Sequence, residues 1–344
     1  MKYKAIFNKR KYASSRKKIY NYTDQIDNIN YVNIDYNYQK LIFIFALFFC
    51  YFIIFKHKRI KAIKANANLE ESKKTIFFDQ FEVNKYNEIK EKLLRMECSQ
   101  MRYNQREFLN GIIRKLRPKK ILEIGVYRGG SSIIILNAIN DFEDAHLYSI
   151  DLNSEDSVGE CAYKYFSNLL KKWTLFKGNI ATEFMEQIGK EIDMVFFDTA
   201  HLEPGEILDF LIVLPFLKEN AIAIFHDIAF QLMPWTKRKE FAPYIIYNAI
   251  RGKKYLPSGK NILTHSIGAV KLDKNQNLYY HDYFRLLGGQ WQYYPKETHM
   301  SQIKKYFKKF YDEECLIMFE EASSFNKNFV KKYPMEVFYR YTSD

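Results

Sequence analysis

Cysteine is scarce in this chain of 344 residues: only Cys50, Cys98, Cys161 and Cys315 occur, far apart and with no C-x-x-C pair. That pattern implies no disulfide framework and agrees with a reducing compartment. Internal repeats are absent, and so is low-complexity sequence beyond the Tyr/Asn-rich stretch Tyr20–Tyr38, which excludes a solenoid or a propeller. The dinucleotide fingerprint G-x-G-x-x-G is missing as well. Net positive charge is nearly missing outside the N-terminal part: of a net +13, Met1 to Thr75 carries 16 Lys and Arg against 5 Asp and Glu. The rest is almost neutral and holds no N-P-P-Y amino-methylation motif, so a nucleic-acid groove is not expected. The many Lys, Asn, Ile, Tyr and Phe are also the residues favoured by AT-rich coding.

What is present starts at Ile121. ILEIGVYRGGSS (Ile121–Ser132) is an apolar strand running into a glycine turn and then a helix, a turn that lets backbone amides approach a ligand. About 20 residues beyond the last glycine, the next strand, LYSIDLN, carries Asp151 where a carboxylate can accept hydrogen bonds from ribose hydroxyls. The turn is Glu123-x-Gly125-x-x-x-Gly129, wider than a pyrophosphate turn, and Glu123 suits a cationic ligand better than an anionic one. Gly125, Gly129, Ser131 and Glu123 are thus candidate contacts of a nucleoside cofactor. Asn179, at the end of a third strand, is a candidate for the base or simply a turn residue.

Two further strands end in acid: IDMVFFD, followed by Thr199, Ala200 and His201, and AIAIFHD. In an open parallel sheet the carboxyl ends of the strands line the ligand crevice, so Asp198, His201, His226 and Asp227 should converge beside Gly125 and Asp151. Carboxylate oxygens favour Mg²⁺, while an imidazole also suits Mn²⁺ or Zn²⁺. Strand-end Asp as a helix cap and His as a structural residue are the plainer readings of each residue alone.

The series LEIGVYRGGSS, SIDLN, FFDTAH, LKENAIAIFHD and HSIGAVKL, within Asn84 to Asp273, resembles the metal-dependent class I O-methyltransferases. That group includes sugar O-methyltransferases of macrolide pathways and cephalosporin-hydroxylase-like proteins. The resemblance implies a doubly wound, mostly parallel α/β sheet of Rossmann-like type with helices on both faces, completed by an antiparallel strand. It implies S-adenosyl-L-methionine as cofactor, a divalent metal (Mg²⁺ favoured) on Asp198, His226 and Asp227, and His201 as general base. The chain departs from the family's D-G-D-H at Thr199-Ala200, from an acid at position 226, and from L-K-P-G-G at Leu217–Ala221, where Asn220 can take the left-handed turn conformation. The expected activity is O-methylation of a small hydroxylated acceptor, favoured a sugar or glycolipid glycan. Catechol-type methylation is the second enzyme reading, and an inactive cofactor-binding module at a membrane, with Ala200 as its mark, is the third.

Length allows more than one domain, and 47% apolar content is ample for a core. Five segments follow: a basic polar tail (1–40), a hydrophobic helix (41–56), a linker (57–83), the catalytic domain (84–275) and a C-terminal extension (276–344). Leu41–Phe55 is an unbroken 15-residue apolar run, shorter than the roughly 20 residues that span a bilayer but extendable by snorkelling Lys40, Lys56 and Lys58. It is expected to anchor the protein in a membrane, the alternatives being a monotopic or core helix. Lys and Arg within about 20 residues number one before the run and seven after it, which places the enzyme in the cytoplasm, anchored or, alternatively, soluble; a homo-oligomer is compatible. Helical spacing at Ile89, Leu93 and Met96, then Phe108, Ile112 and Leu116, runs to Pro118. Further on, Pro204 should start a helix, Pro215 should bend its end, Trp235–Gly252 reads as helical and Ile267–Leu272 as a late strand. The aromatic stretch Tyr279–Tyr294 reads as packing, with an acceptor pocket as the alternative.

Overall fold

The computed structural model describes residues 76–78, 84–229, 241–258 and 266–333. The basic tail and the apolar run Leu41–Phe55 lie outside the described residues. Among the described residues no helix is long and apolar enough to cross a membrane.

Among the described residues, eight strands form one sheet: β1 (Ile76–Phe78), β2 (Lys120–Ile124), β3 (His146–Asp151), β4 (Trp173–Lys177), β5 (Ile192–Phe197), β6 (Leu217–His226), β7 (Gly252–Pro257) and β8 (Ile267–Leu272). Their order is β1-β7-β8-β6-β5-β2-β3-β4. Pairing is parallel except at β8, which runs antiparallel to both β6 and β7. This is the doubly wound sheet that the alternation of strands and helices implies, and the late strand Ile267–Leu272 is the one that runs antiparallel. The order reverses at β2, so the carboxyl ends of β2, β3, β5 and β6 open onto one crevice.

Both faces of the central strands are covered, which is why β5 and β6 read as continuous apolar runs. Along β5, Met194 and Phe196 enter the core under the helices Asn84–Arg95, Tyr103–Leu116 and Gly130–Ile139. Val195 and Phe197 enter the opposite core, under Gly205–Val213 and the C-terminal helices Glu297–Phe310 and Glu313–Lys332. The aromatic stretch mostly packs there: Tyr283, Phe284 and Trp291 are buried, and the Trp291 indole N–H donates to the Leu287 carbonyl. Burying side chains of this size stabilises the fold by roughly 1.5–3 kcal/mol each.

Pro204 caps the helix Gly205–Val213, and the chain tightens into a 3-10 turn at Leu214–Phe216, where Pro215 removes the next amide donor. Asn220 takes the left-handed conformation (φ 60) within β6. Two expectations need correction. Of the helix expected over Trp235–Gly252, the described part ends at Ala249, and Gly252 opens β7 instead. A Cβ on Gly252 would lie 2.2 Å from the Lys271 carbonyl oxygen, so close pairing with β8 overrides the apolar helical period. Cys98 and Cys161, 63 residues apart, form a disulfide with Cα atoms 5.8 Å apart. The chain brings together what sequence spacing kept separate.

Candidate active site

Strand β2 ends between its neighbours: the Gly125 amide donates to the Ile150 carbonyl (2.9 Å), and the Asp198 amide donates to the Ile124 carbonyl (3.0 Å). Gly125 has φ +89, and a Cβ there would stand 2.0 Å from the Asp198 carbonyl oxygen. Only glycine lets the chain turn out of the sheet this close to β5. Gly129, also at φ +89, caps the helix Gly130–Ile139.

Glu123 lies beneath this turn and is fully buried, outside the lining of the cavity above it. Its carboxylate accepts hydrogen bonds from the hydroxyls of Ser131, Ser132 and Ser149, each at 2.6 Å. Burial raises its pKa to about 7, against the pull of the three hydroxyls and with help from the charge of Asp198. Glu123 thus ties the glycine helix to β2 and β3. Because the folded protein holds this proton more tightly than the unfolded chain, Glu123 favours folding below about pH 4.5 and costs stability as pH rises toward 7. At 1.36 kcal/mol per unit the swing is on the order of 3 kcal/mol. Urea midpoints measured from pH 4.5 to 7.5 are expected to fall less steeply in Glu123→Gln than in the native chain; parallel curves would refute this account.

Asp151 closes the other side of the turn. One of its oxygens accepts from the amides of Val126 (2.8 Å) and Tyr127 (2.9 Å), and the other from Asn153 (2.9 Å). These bonds fix the carboxylate at the rim of the crevice. Asn179 accepts from the Ile180 amide at 2.8 Å, a turn contact made by a residue that also lines the crevice. Gly125, Ser131, Asp151, Asn179, Asp198 and Asp227 all line one cavity of about 1270 Å³. Single-ligand sites occupy roughly 300–1,000 Å³, so this space accommodates a nucleoside cofactor together with an acceptor.

At the tips of β5 and β6 the four residues expected to converge do so. His226 Nδ1 lies 3.1 Å from an Asp198 oxygen and 3.5 Å from an Asp227 oxygen. His201 Nε2 lies 3.6 Å from Asp198 and 3.4 Å from Asp227. Acid and imidazole alternate around a small ring. His201 and Asp227 both hold the left-handed backbone conformation, at φ 58 and φ 55, which costs non-glycine residues on the order of 1–3 kcal/mol each and is found where surrounding contacts enforce it.

Electrostatics follow from this packing. Burial opposes charge on His201, but its hydrogen bond to Glu206 and the carboxylates of Glu206, Asp227 and Asp198 outweigh it and raise the pKa to about 10. His226 is raised to about 8: burial pulls it down, and Asp198 and Asp227 push it up further. Burial would raise Asp198, yet His226 and His201 hold it below the usual carboxylate range. Without a cation the ring is neutralised by protons on its imidazoles. One oxygen or nitrogen from each of Asp198, His201 and Asp227 lies within 4.8 Å of the others, a spacing and donor set that fit a divalent ion. The imidazole in this triad is His201, where the sequence reading placed His226.

Several residues at the site had no sequence signal. Glu206, on the first turn of the helix after β5, accepts from both the His201 amide (2.5 Å) and His201 Nδ1 (3.2 Å). Gln105, from the helix Tyr103–Leu116, faces His226 Nε2 at 3.3 Å. Tyr293, Lys296 and His299, from the C-terminal extension, line the cavity. A short polar residue on a helix remote in sequence carries no marker of its destination; Glu206, five positions from His201, is the one a local pattern could have suggested.

No curated protein matches the chain. Among solved structures, the O-methyltransferase TomG of Streptomyces achromogenes, involved in tomaymycin synthesis and crystallised with S-adenosylmethionine, is 16% identical over 55% of this chain and 90% of its own, with a TM-score of 0.41. An O-methyltransferase from Bacillus cereus in complex with S-adenosylhomocysteine is 15% identical over 54% of this chain and 90% of its own, TM-score 0.41. The Podospora anserina methyltransferase PaMTH1, bound to S-adenosylhomocysteine, is 16% identical over 64% and 96%, TM-score 0.41. Residues 122–228, which hold the glycine turn, Asp151 and the whole acid–imidazole ring, match the family model described as a methyltransferase domain.

Proposed function

We propose that the protein transfers the methyl group of S-adenosylmethionine to a hydroxyl of a small acceptor, a sugar or glycolipid glycan being favoured. The observation that carries this reading is the ring of Asp198, His201, His226 and Asp227 opening into the same cavity as Gly125 and Asp151. The sulfonium methyl is already activated, so the protein's task is alignment of the acceptor oxygen and removal of its proton. Gly125, Gly129 and Ser131 shape the seat of the cofactor, Asp151 faces its ribose hydroxyls, and Asn179 lies where the base would end. Glu123 supports the seat from below.

Asp198 and Asp227, with an imidazole of the ring, would hold the divalent cation, which supplies a lowered hydroxyl pKa and a fixed acceptor orientation. His201 Nε2, between both carboxylates, is the nitrogen that would join them on the cation; with its pKa raised to about 10 it does not suit the base role, and the lowered pKa of a cation-bound hydroxyl would release the acceptor's proton to solvent. Two carboxylates with two imidazoles suit Mn²⁺ or Zn²⁺ as well as Mg²⁺. The glycolipid preference draws on Leu41–Phe55, which would set the domain beside a membrane with the site in the cytoplasm. A module that binds cofactor without turnover remains the competing reading because Ala200 stands where relatives have an acid.

Calorimetry of the full-length protein with S-adenosylhomocysteine, followed by an acceptor screen with labelled S-adenosylmethionine, tests the reading. No binding would remove it; binding with no transfer to any hydroxyl would favour the inactive module. A cation must displace the imidazole protons, so Mn²⁺ affinity is expected to tighten from pH 6 to pH 8 by up to about tenfold per unit for one proton released. An affinity flat across that range would show that the imidazoles are not involved.

A further inference from the structure

We propose that Glu206 is a positioning residue that fixes which nitrogen of His201 faces the reacting centre, an inference that rests on the reading of the ring as the catalytic centre. Its side chain is almost wholly buried, and one oxygen, Oε1, accepts from two His201 groups: the backbone amide at 2.5 Å and Nδ1 at 3.2 Å. The first bond holds His201 in its left-handed backbone conformation, and the second turns Nδ1 away from the two aspartates. What remains is Nε2, 3.6 Å from Asp198 and 3.4 Å from Asp227. The other carboxylate oxygen of Glu206 is buried with no hydrogen-bond partner, so among the described residues the side-chain hydrogen bonds of Glu206 are the two it accepts from His201.

A histidine that presents one nitrogen to a cation commonly donates its other ring N–H to a carboxylate, and losing that carboxylate typically costs 10–100-fold in metal affinity. Glu206 occupies that place for His201. It sits on the first turn of the helix Gly205–Val213, where the partial positive charge of the helix end favours a carboxylate, and it does not line the cavity. Its effect on chemistry therefore passes through His201.

The test uses the full-length protein, ring-¹⁵N-labelled at histidine, and the variants Glu206→Ala and Glu206→Gln. In the metal-free native protein a slowly exchanging, downfield Nδ1–H resonance of His201 is expected; Glu206→Ala should lose it, and Glu206→Gln, whose amide oxygen can still accept, should keep it. Mn²⁺ affinity should fall about 10–100-fold in Glu206→Ala and only a few-fold in Glu206→Gln, while S-adenosylhomocysteine affinity stays within a few-fold in both. The resonance persisting in Glu206→Ala, or both variants losing Mn²⁺ equally, would overturn the assignment. Native protein that binds no Mn²⁺ would refute the metal reading of the ring, and the resonance would still decide the role of Glu206. A general loss of fold is told apart by the S-adenosylhomocysteine titration, which it would abolish.

Discussion

Replacing Asp198 by asparagine is expected to lower methyl transfer by on the order of 10³-fold while leaving S-adenosylhomocysteine affinity within a few-fold. Asn keeps the volume of Asp and so spares the packing at the end of β5, but it removes the charge that faces both imidazoles, His226 at 3.1 Å and His201 at 3.6 Å. Two losses follow. The site gives up one of the two carboxylates able to hold a cation, and the electrostatic help of a bound cation amounts to several kcal/mol, where each 1.36 kcal/mol is tenfold in rate. The imidazoles also lose the charge that stabilises their protonated forms. The measurement is turnover with labelled cofactor and whichever hydroxyl acceptor the screen identifies, paired with calorimetry for cofactor and Mn²⁺. Wild-type turnover by Asp198→Asn would end the catalytic assignment of the ring even if the protein proved to be an O-methyltransferase.

A comparably large effect is expected at the other end of the cavity, from a single methyl group. Gly125→Ala places a Cβ 2.0 Å from the carbonyl oxygen and 2.8 Å from the carbonyl carbon of Asp198, on a backbone at φ +89. The left-handed conformation costs an L-residue about 1–2 kcal/mol, and forced movement of neighbouring backbone adds about 1–3 kcal/mol. Relief requires the turn to lift away from β5, which displaces the proposed cofactor seat and the backbone of Asp198 together. S-adenosylhomocysteine affinity is expected to drop about 100-fold, with a lower unfolding temperature. Gly288→Ala is the control: nothing lies within 4 Å of its added methyl, and both readouts should be unchanged. Near-native cofactor binding by Gly125→Ala would mean that the turn is not the cofactor seat.

The site was half legible in the sequence, and the legible half is the part carried by strand ends. Asp151, Asp198 and Asp227 follow apolar runs directly, so their approach to a common edge follows from the parallel topology alone. Glu123 shows the limit of this kind of reading: an acid two residues before a glycine turn was expected to face the ligand, but strand alternation turns it under the sheet, where three serine hydroxyls surround it. Gln105 and Tyr293 could not be read at all, because they reach the cavity from helices and loops whose docking depends on the packing of whole faces.

The one-dimensional pattern determined the strands β2 to β6, the glycine turn between β2 and its helix and the late strand Ile267–Leu272, since each depends on residues within a few positions of one another. Tertiary structure decided the rest. It paired Cys98 with Cys161, made Gly252 the start of β7 by pressing it against Lys271, brought His201 as well as His226 against both aspartates, and set Glu206 behind His201. These outcomes depend on which elements pack together and at what distance, and a hydrophobic period records that a face is buried without recording what it is buried against.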